Sequence, residues 1–382
     1  MIRRFLVLLM AFSLGACTPE LIPRPVTPGP SVPPATKTAV PINAPVITSP
    51  ALARIAMLDE NNGWGISDTA VLRTTDGGST WYNLSPQNPG QLGYFVASSF
   101  LDTQHGWILV PDASDMLKGT LFSSSDGGAT WNHVAVPFGG GDLHFLDAKH
   151  GWMIASLGAG AGSMAVAVLQ TTDGGQTWTQ TYTNDPNQPN AGASLPLGGL
   201  KDGLSPVNME TAWIGGVTYA PGVIYLYQTK DAGATWVQST IKVPDGYDQA
   251  QFETRGPIFV GANTAYLPAT VSSQNGVMLA VYVSHDGGAS WLETPIMIPQ
   301  GGATDFVSAR DGFIWNGSSF YVTHDGAQTW KSIQPDVSFS EAFSSMDFVS
   351  PTTGFVVTSD ASGAHGLYKT TNGGVNWIAL GK

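Results

Sequence analysis

Seven copies of one eight-residue pattern, Ser/Thr-x-Asp-x-Gly-x-x-Trp with small departures, limit what this chain can fold into. They occupy residues 74–81, 124–131, 171–178, 229–236, 284–291, 323–330 and 370–377. The third position holds Asp76, Asp126, Asp173, Asp231, Asp286, Asp325 and Asn372, so successive copies lie 50, 47, 58, 55, 39 and 47 residues apart. That period suits one four-stranded sheet per copy. Locally the pattern predicts a tight hairpin turn. The Asp or Asn accepts hydrogen bonds from backbone N–H groups one and two residues on, and the glycine after it supplies positive φ. The closing Trp81, Trp131, Trp178, Trp236, Trp291, Trp330 and Trp377 are expected to fold back as plugs between neighbouring sheets.

A second signal precedes every copy: a small residue followed by an aromatic, at Gly63-Trp64, Gly106-Trp107, Gly151-Trp152, Ala212-Trp213, Ala265-Tyr266, Gly312-Phe313 and Gly354-Phe355. With the apolar run before it, this reads as strand, short turn, strand. In the third repeat the four strands are placed at 143–146, 152–155, 164–171 and from Trp178 onward. Four strands repeated seven times give an all-β fold, a seven-bladed β-propeller of four-stranded antiparallel blades. Forty-six glycines and 26 prolines, with only 12% charged residues, agree with many short strands and argue against a helical domain.

The formal charge is −12, from 16 basic and 28 acidic residues. Such a surface repels phosphate backbones and argues against nucleic-acid binding. Residues 1–17 carry Arg3-Arg4, an apolar run from Phe5 to Leu14, then Gly15-Ala16-Cys17. This is the layout of a secretory signal too short to remain as a membrane span. Removing the leader with its two arginines makes the charge −14, that is 14 basic minus 28 acidic residues. Leu14-Gly15-Ala16-Cys17 resembles the lipobox of bacterial lipoproteins. The resemblance implies cleavage before Cys17, a lipid on that residue and an exported protein anchored at the extracytoplasmic face of the cell membrane. Cys17 is the only cysteine, so a disulfide framework is excluded. Residues 18–50 contain ten prolines in 33 and read as an extended stalk. Val40 to Thr48 is left as a candidate extra strand at a blade edge. Residues 51–382 form the propeller, and its closure rests either on packing between blades one and seven or on that extra strand.

The seven-fold pattern is the Asp-box, or bacterial neuraminidase repeat. Alternating with the small-aromatic strand, it resembles most the photosystem II stability/assembly factor-like family of seven-bladed propellers. That resemblance implies a non-enzymatic scaffold binding protein partners on one face of the ring. Family members in photosynthetic organisms use an arginine-rich patch. Here the propeller has only Arg54, Arg73, Arg255 and Arg310, in different repeats. Asp-boxes also occur in sialidases, xyloglucan-degrading enzymes and sorting receptors, where they are structural.

Two polar stretches interrupt the repeat, 183–205 and 243–255, and loops on a rigid scaffold are where binding concentrates. Tyr247, Asp248, Glu253 and Arg255 in the second are the candidate binding residues. A sialidase would need three convergent arginines, which the scatter of the four argues against. A glycoside hydrolase would need two facing carboxylates, for which Asp202 with Asp248 or Glu253 is the candidate pair. Seven histidines show no paired metal-ligand spacing, and no Gly-rich phosphate loop occurs, so neither metal nor cofactor is expected. Of twelve tryptophans only Trp315 falls outside the two repeat positions, so an aromatic sugar platform would rest on it and on Tyr219, Tyr225, Tyr227 and Tyr247. The sequence therefore points to a lipid-anchored propeller that binds a protein or glycan partner without chemistry of its own. A carbohydrate-binding or glycoside-hydrolysing surface protein is the alternative.

Overall fold

In a computed structural model the described residues are 44–93, 96–339 and 342–381. The leader, Cys17 and most of the Pro-rich stretch lie outside them. The described residues contain 31 β-strands and no α-helix, so none that could cross a membrane. The strands lie in six hydrogen-bonded sheets, one of five strands, four of four and one of ten. The ten-stranded sheet holds two repeats of four with two added strands, and the seven repeats of four antiparallel strands are here called blades one to seven, with strands A to D in chain order. The A strands are Leu52–Met57, Ala97–Phe100, Gly141–Phe145, Leu200–Pro206, Ile258–Phe259, Ala303–Phe306 and Phe343–Phe348. The third unit runs Gly141–Phe145, Gly151–Gly160, Ser163–Thr171 and Thr179–Thr183, within a few residues of expectation except that strand B is longer. Successive A strands contact one another, from blade two to three, three to four, six to seven and seven to one, which places them at the centre of the ring.

Each repeated box joins strand C to strand D. The first-position hydroxyl bridges it: Thr171 Oγ1 donates to Asp173 Oδ1 at 2.8 Å and accepts from Gly175 N at 2.9 Å. The aspartate reaches further than the sequence suggested. Its Oδ1 accepts from the backbone N–H four residues on, as in Thr177 N to Asp173 at 2.9 Å, because two consecutive residues take left-handed φ and curl the turn back. A second bond ties the box to the A–B turn of the same blade, as in Gly174 N to Lys149 O at 2.9 Å. It recurs at Gly77, Gly127, Ala232, Gly287, Gly326 and Gly373. The box is therefore a staple holding both turns on one face of the ring.

Seven separate apolar clusters fill the seams, one per pair of neighbouring blades, a count consistent with seven blades. The strand-B aromatic of one blade stacks on the last residue of the next A strand. Trp107 lies 3.7 Å from Phe145, Tyr266 3.7 Å from Phe306 and Phe313 3.6 Å from Phe348. The box tryptophan of the following blade closes the same cluster, as Trp178 does edge-on to Phe145. Both repeated aromatics thus serve one purpose, removal of strand faces from water. Trp315 joins the core of the blade six to seven seam and Tyr225 that of the three to four seam, leaving Tyr219 as the exposed member of the suggested aromatic platform.

Blades one and seven meet through side chains, with Leu52, Leu72, Trp81, Phe355 and Leu367 in one cluster. Residues Val46–Ile47 add a fifth strand to the outer edge of blade one, pairing with Trp81 and Tyr82. Closure therefore rests on packing, and the extra strand, paired only with blade one, takes part in it: Ile47 packs into the same cluster and Thr48 lies against Gly381 at the end of blade seven.

Candidate functional site

The departure from the repeat that matters most lies between blades four and five. An additional strand, Gln251–Thr254, pairs with strand B of blade five (Gln251↔Ser272 to Thr254↔Ala269) and touches strand B of blade four at Val217↔Glu253. Blades four and five thereby share one hydrogen-bonded sheet of ten strands, where the other blades meet only through side chains and isolated bonds. The sequence reading of seven contiguous four-stranded blades misses this strand. Its cause is legible afterwards. Strand B of blade five extends over nine residues, Ala265–Ser273, and Gly256-Pro257 interrupts the strand that covers it, because proline has no N–H for the ladder. Ile258–Phe259 then resumes the pairing as strand A.

Arg255 occupies that break. Its backbone lies in a trough made by two glycines of blade four. A Cβ on Gly215 would fall 2.3 Å from the Arg255 carbonyl carbon, and one on Gly203 2.4 Å from Gly256 N. Gly203 has φ +79° at a bulge between Asp202 and Leu204. The bulge re-aims Asp202, and its Oδ2 meets Arg255 Nε at 3.3 Å. Thr254, fully buried, fastens the strand to blade four: its hydroxyl donates to Tyr225 O and accepts from Gly216 N at 3.2 Å. Glu253 is exposed beside it.

These residues border a cavity of about 560 Å³ that opens where the A strands begin. It is lined by Glu253, Arg255 and Ile258, by Pro268, Thr270 and Leu279 of blade five, and by Thr304, Phe343 and Ser344 of blades six and seven. The lining mixes charged, hydroxyl and apolar side chains. The Arg255 side chain is 78% exposed and Asp202 49%, so their pairing is a surface one and contributes at most about 1 kcal/mol. Its value is positional: the ion pair presents a guanidinium beside the cavity.

Of the four candidate binding residues, the structure brings Glu253 and Arg255 to this cavity and separates the other two. Tyr247 packs against the core between blades four and five, and Asp248 is exposed on the preceding loop, outside the cavity lining. Of the carboxylates suggested as a facing pair, Asp202 meets Arg255, Glu253 lines the cavity beside that arginine, and Asp248 lies outside the lining. The stretch 183–205 is anchored near both ends, with residues 186–187 and 189–191 exposed between them. Leu195 is fully buried, Asn184 bridges Val166 N, Met164 O and Pro196 O, and the Lys201 ammonium donates to the carbonyls of Met164, Leu197, Gly198 and Gly199. Burial lowers the Lys201 ammonium to about 8, because the charged form lacks water.

The four arginines stay apart. Arg54 donates to Val96 O, Arg73 is buried over the Trp64 ring with one contact to Gly127 O, and Arg310 donates to His324 O on the box face. The box aspartates are taken up by their own turns. The Ser290 hydroxyl, then the Ser290 and Ser284 bonds, hold Asp286 down to about 2, and Thr329 does the same for Asp325. Among the described residues no group of three or more His, Cys, Asp or Glu could hold a metal ion. Phe343 and Thr304 had no sequence signal of their own, since their role depends on the ring bringing blades five to seven together. Gly203 and Gly215, unusual inside strand patterns, were a readable sign of close backbone approach.

No protein-family model matches the chain. It is 24% identical over 264 residues to the photosystem II assembly lipoprotein Ycf48 of Synechococcus sp. (strain CC9902), covering 63% of this chain and 74% of that protein. Among solved structures, Ycf48 bound to a D1 peptide superposes with a TM-score of 0.54 at 16% identity, over 86% of this chain and 95% of that one. A GH74 xyloglucanase from Xanthomonas campestris gives 0.60 at 13% identity, over 87% of this chain and 55% of the enzyme. At these identities the structural likenesses establish the propeller fold alone.

Proposed function

We propose that this chain is a lipid-anchored, extracytoplasmic propeller that binds a protein partner at the loop-bearing mouth of its ring and carries out no reaction itself. The observation that carries this reading is the Arg255 rim. It is a guanidinium and the Glu253 carboxylate at a pocket of mixed polar and apolar lining, held by a dedicated strand, in a chain similar to an assembly lipoprotein and to a propeller bound to a peptide. Mixed polar and apolar recognition of this kind suits an extended peptide segment, with arginine as an anchor. The competing reading, carbohydrate hydrolysis, requires two carboxylates facing each other across a water or a sugar. Asp202 is instead turned to Arg255.

The test is affinity capture of the full-length chain, tagged at its C-terminus, from its native membranes, beside an Arg255→Ala/Glu253→Ala variant. A protein recovered with the native chain and reduced at least tenfold with the variant supports the reading. Equal recovery by both chains, or turnover of a polysaccharide by the purified native protein, sinks it.

The anchor is tested separately. Cys17→Ala is expected to move the protein from the membrane fraction to the soluble one and to abolish fatty-acid labelling. Equal labelling of both proteins contradicts the lipid anchor.

A further inference from the structure

Strand D is the outer edge of each blade, and six of the seven blades shield or shorten it. Blade one covers its edge, Trp81–Asn83, with the added strand Val46–Ile47, and Asn83 N donates outward to Pro45 O at 2.8 Å. In blade three, Thr179–Thr183 is bulged opposite Val168 and Leu169, and Gly192 N caps Thr183 O at 2.7 Å. Blades four and five offer two residues each, Val237–Gln238 and Leu292–Glu293. Blades six and seven offer three, Lys331–Ile333 and Ile378–Leu380, the former opening on a lysine. Short length, charge, bulges and covering segments keep an edge from pairing with another chain. Blade two has none of these. Its strand D, Asn132–Val136, runs five residues in unbroken register opposite Ser123 to Gly119 and holds no lysine, proline or glycine.

The direction of its free backbone groups follows from blade one. There the second residue after the box tryptophan, Asn83, turns its N–H outward, and the next, Leu84, donates inward to Val71 O. These directions alternate along an antiparallel strand, so in blade two His133 and Ala135 turn N–H and C=O outward, while Asn132, Val134 and Val136 bond strand C. Among the described residues no backbone group bonds that outer side. His133 and Ala135 are exposed and share one face with their cross-strand partners Phe122 and Thr120. A cavity of about 760 Å³ opens on this face, lined by His133, Phe122, Thr120 and Trp131 of blade two and by residues 85–88 from the end of blade one. Trp131 Nε1 donates to Leu84 O at 2.7 Å and so fixes the start of that second wall.

We propose that strand D of blade two is a docking edge for an extended segment of a partner protein, which adds a strand to the blade and sets bulky uncharged side chains, two residues apart, in the cavity beside it. Residues opposite His133 and Ala135 in such a strand have their side chains on the cavity face. The cavity lining holds no Asp, Glu, Lys or Arg, so uncharged side chains match it. Val46–Ile47 on blade one is the fold's own example of the pairing. The formal charge of −12 opposes a second copy of this chain at the edge and favours a neutral or basic segment. The contact lies at the rim between blades one and two and does not depend on Arg255.

The experiment selects binders to the purified full-length chain from a phage-displayed library of random linear peptides. Ala135→Pro removes an outward N–H that strand C does not use, and an edge strand tolerates proline there. Ala135→Ser keeps that N–H. Selected peptides are expected to carry bulky uncharged residues at alternate positions and to bind the native chain and Ala135→Ser alike. They should bind Ala135→Pro at least about tenfold more weakly, since a backbone bond is lost and its partner orphaned. In the free chain the His133 and Ala135 amides should exchange hydrogen faster than those of Val134 and Val136, and peptide binding should slow them. Should the far-ultraviolet spectrum show Ala135→Pro unfolded, Ala135→Lys takes its place, with the same loss expected from a charge beside the uncharged cavity. Equal binding to the native chain and the blocked variant, no selected peptide at all, or selection only of peptides whose binding is lost with Arg255→Ala overturns the docking edge. A native chain that sediments as a dimer while the blocked variant sediments as a monomer also overturns it, in favour of a second copy.

Discussion

Trp107→Ala lowers the unfolding free energy by about 3–5 kcal/mol, the range for deleting a large buried aromatic. Trp107 is 2% exposed, lies parallel to Phe145 at 3.7 Å and donates its indole N–H to Gly174 O at 2.9 Å. Truncation removes three things together: apolar burial, a stacked contact and the partner of a carbonyl in the next blade's box turn. The seam between blades two and three cannot collapse onto the gap, because the backbone on both sides is fixed by ladders and staples. Urea unfolding of the purified chain measures the loss. A change under about 1 kcal/mol would mean that the seams are not the main source of stability.

Gly215→Ala separates binding from folding. Gly215 lies on an extended strand without positive φ, so alanine brings no backbone strain of its own. Its Cβ would stand 2.3 Å from the carbonyl carbon and oxygen of Arg255, and backbone atoms cannot swing aside as a flexible side chain can. The strand Gln251–Thr254 must lift from blade four, taking Glu253 and Arg255 with it. The expected cost in stability is about 1–3 kcal/mol, that of overpacking. Capture of the partner should fall at least tenfold while the far-ultraviolet spectrum stays that of the native chain. Unchanged capture by a folded Gly215→Ala protein would show that the added strand does not position the binding residues.

The two predictions mark what the sequence does and does not reveal. Trp107 and Trp178 were legible as repeat positions because a ring of identical seams asks for the same aromatic at the same place each time. The turn geometry was legible in outline from Asp and Gly, but the reach of Asp173 to Thr177 N depends on two successive left-handed residues and could not be counted from spacing. Arg255 was singled out from a polar loop, and its partner was not. Asp202 is 53 residues away and is aimed by a bulge at Gly203 that is visible only when two blades are placed side by side. Tyr247 was singled out from the same polar loop, and the chain packs it half-buried against the core between blades four and five, apart from Glu253 and Arg255. Repeated features follow from local chemistry, whereas a site that exists once in the ring depends on which exceptions become neighbours.

The central claim is that partner recognition takes place at the loop-bearing mouth and not on the face of stapled turns. It is tested most directly by site-specific photo-crosslinking in native membranes, with the photoreactive residue at Ser344 in the cavity wall or at Gln176 in an exposed box turn. The account predicts a discrete protein adduct from position 344, lost when Arg255 is replaced by alanine, and none from position 176. An adduct from position 176 alone, or one from position 344 that persists without Arg255, would contradict it.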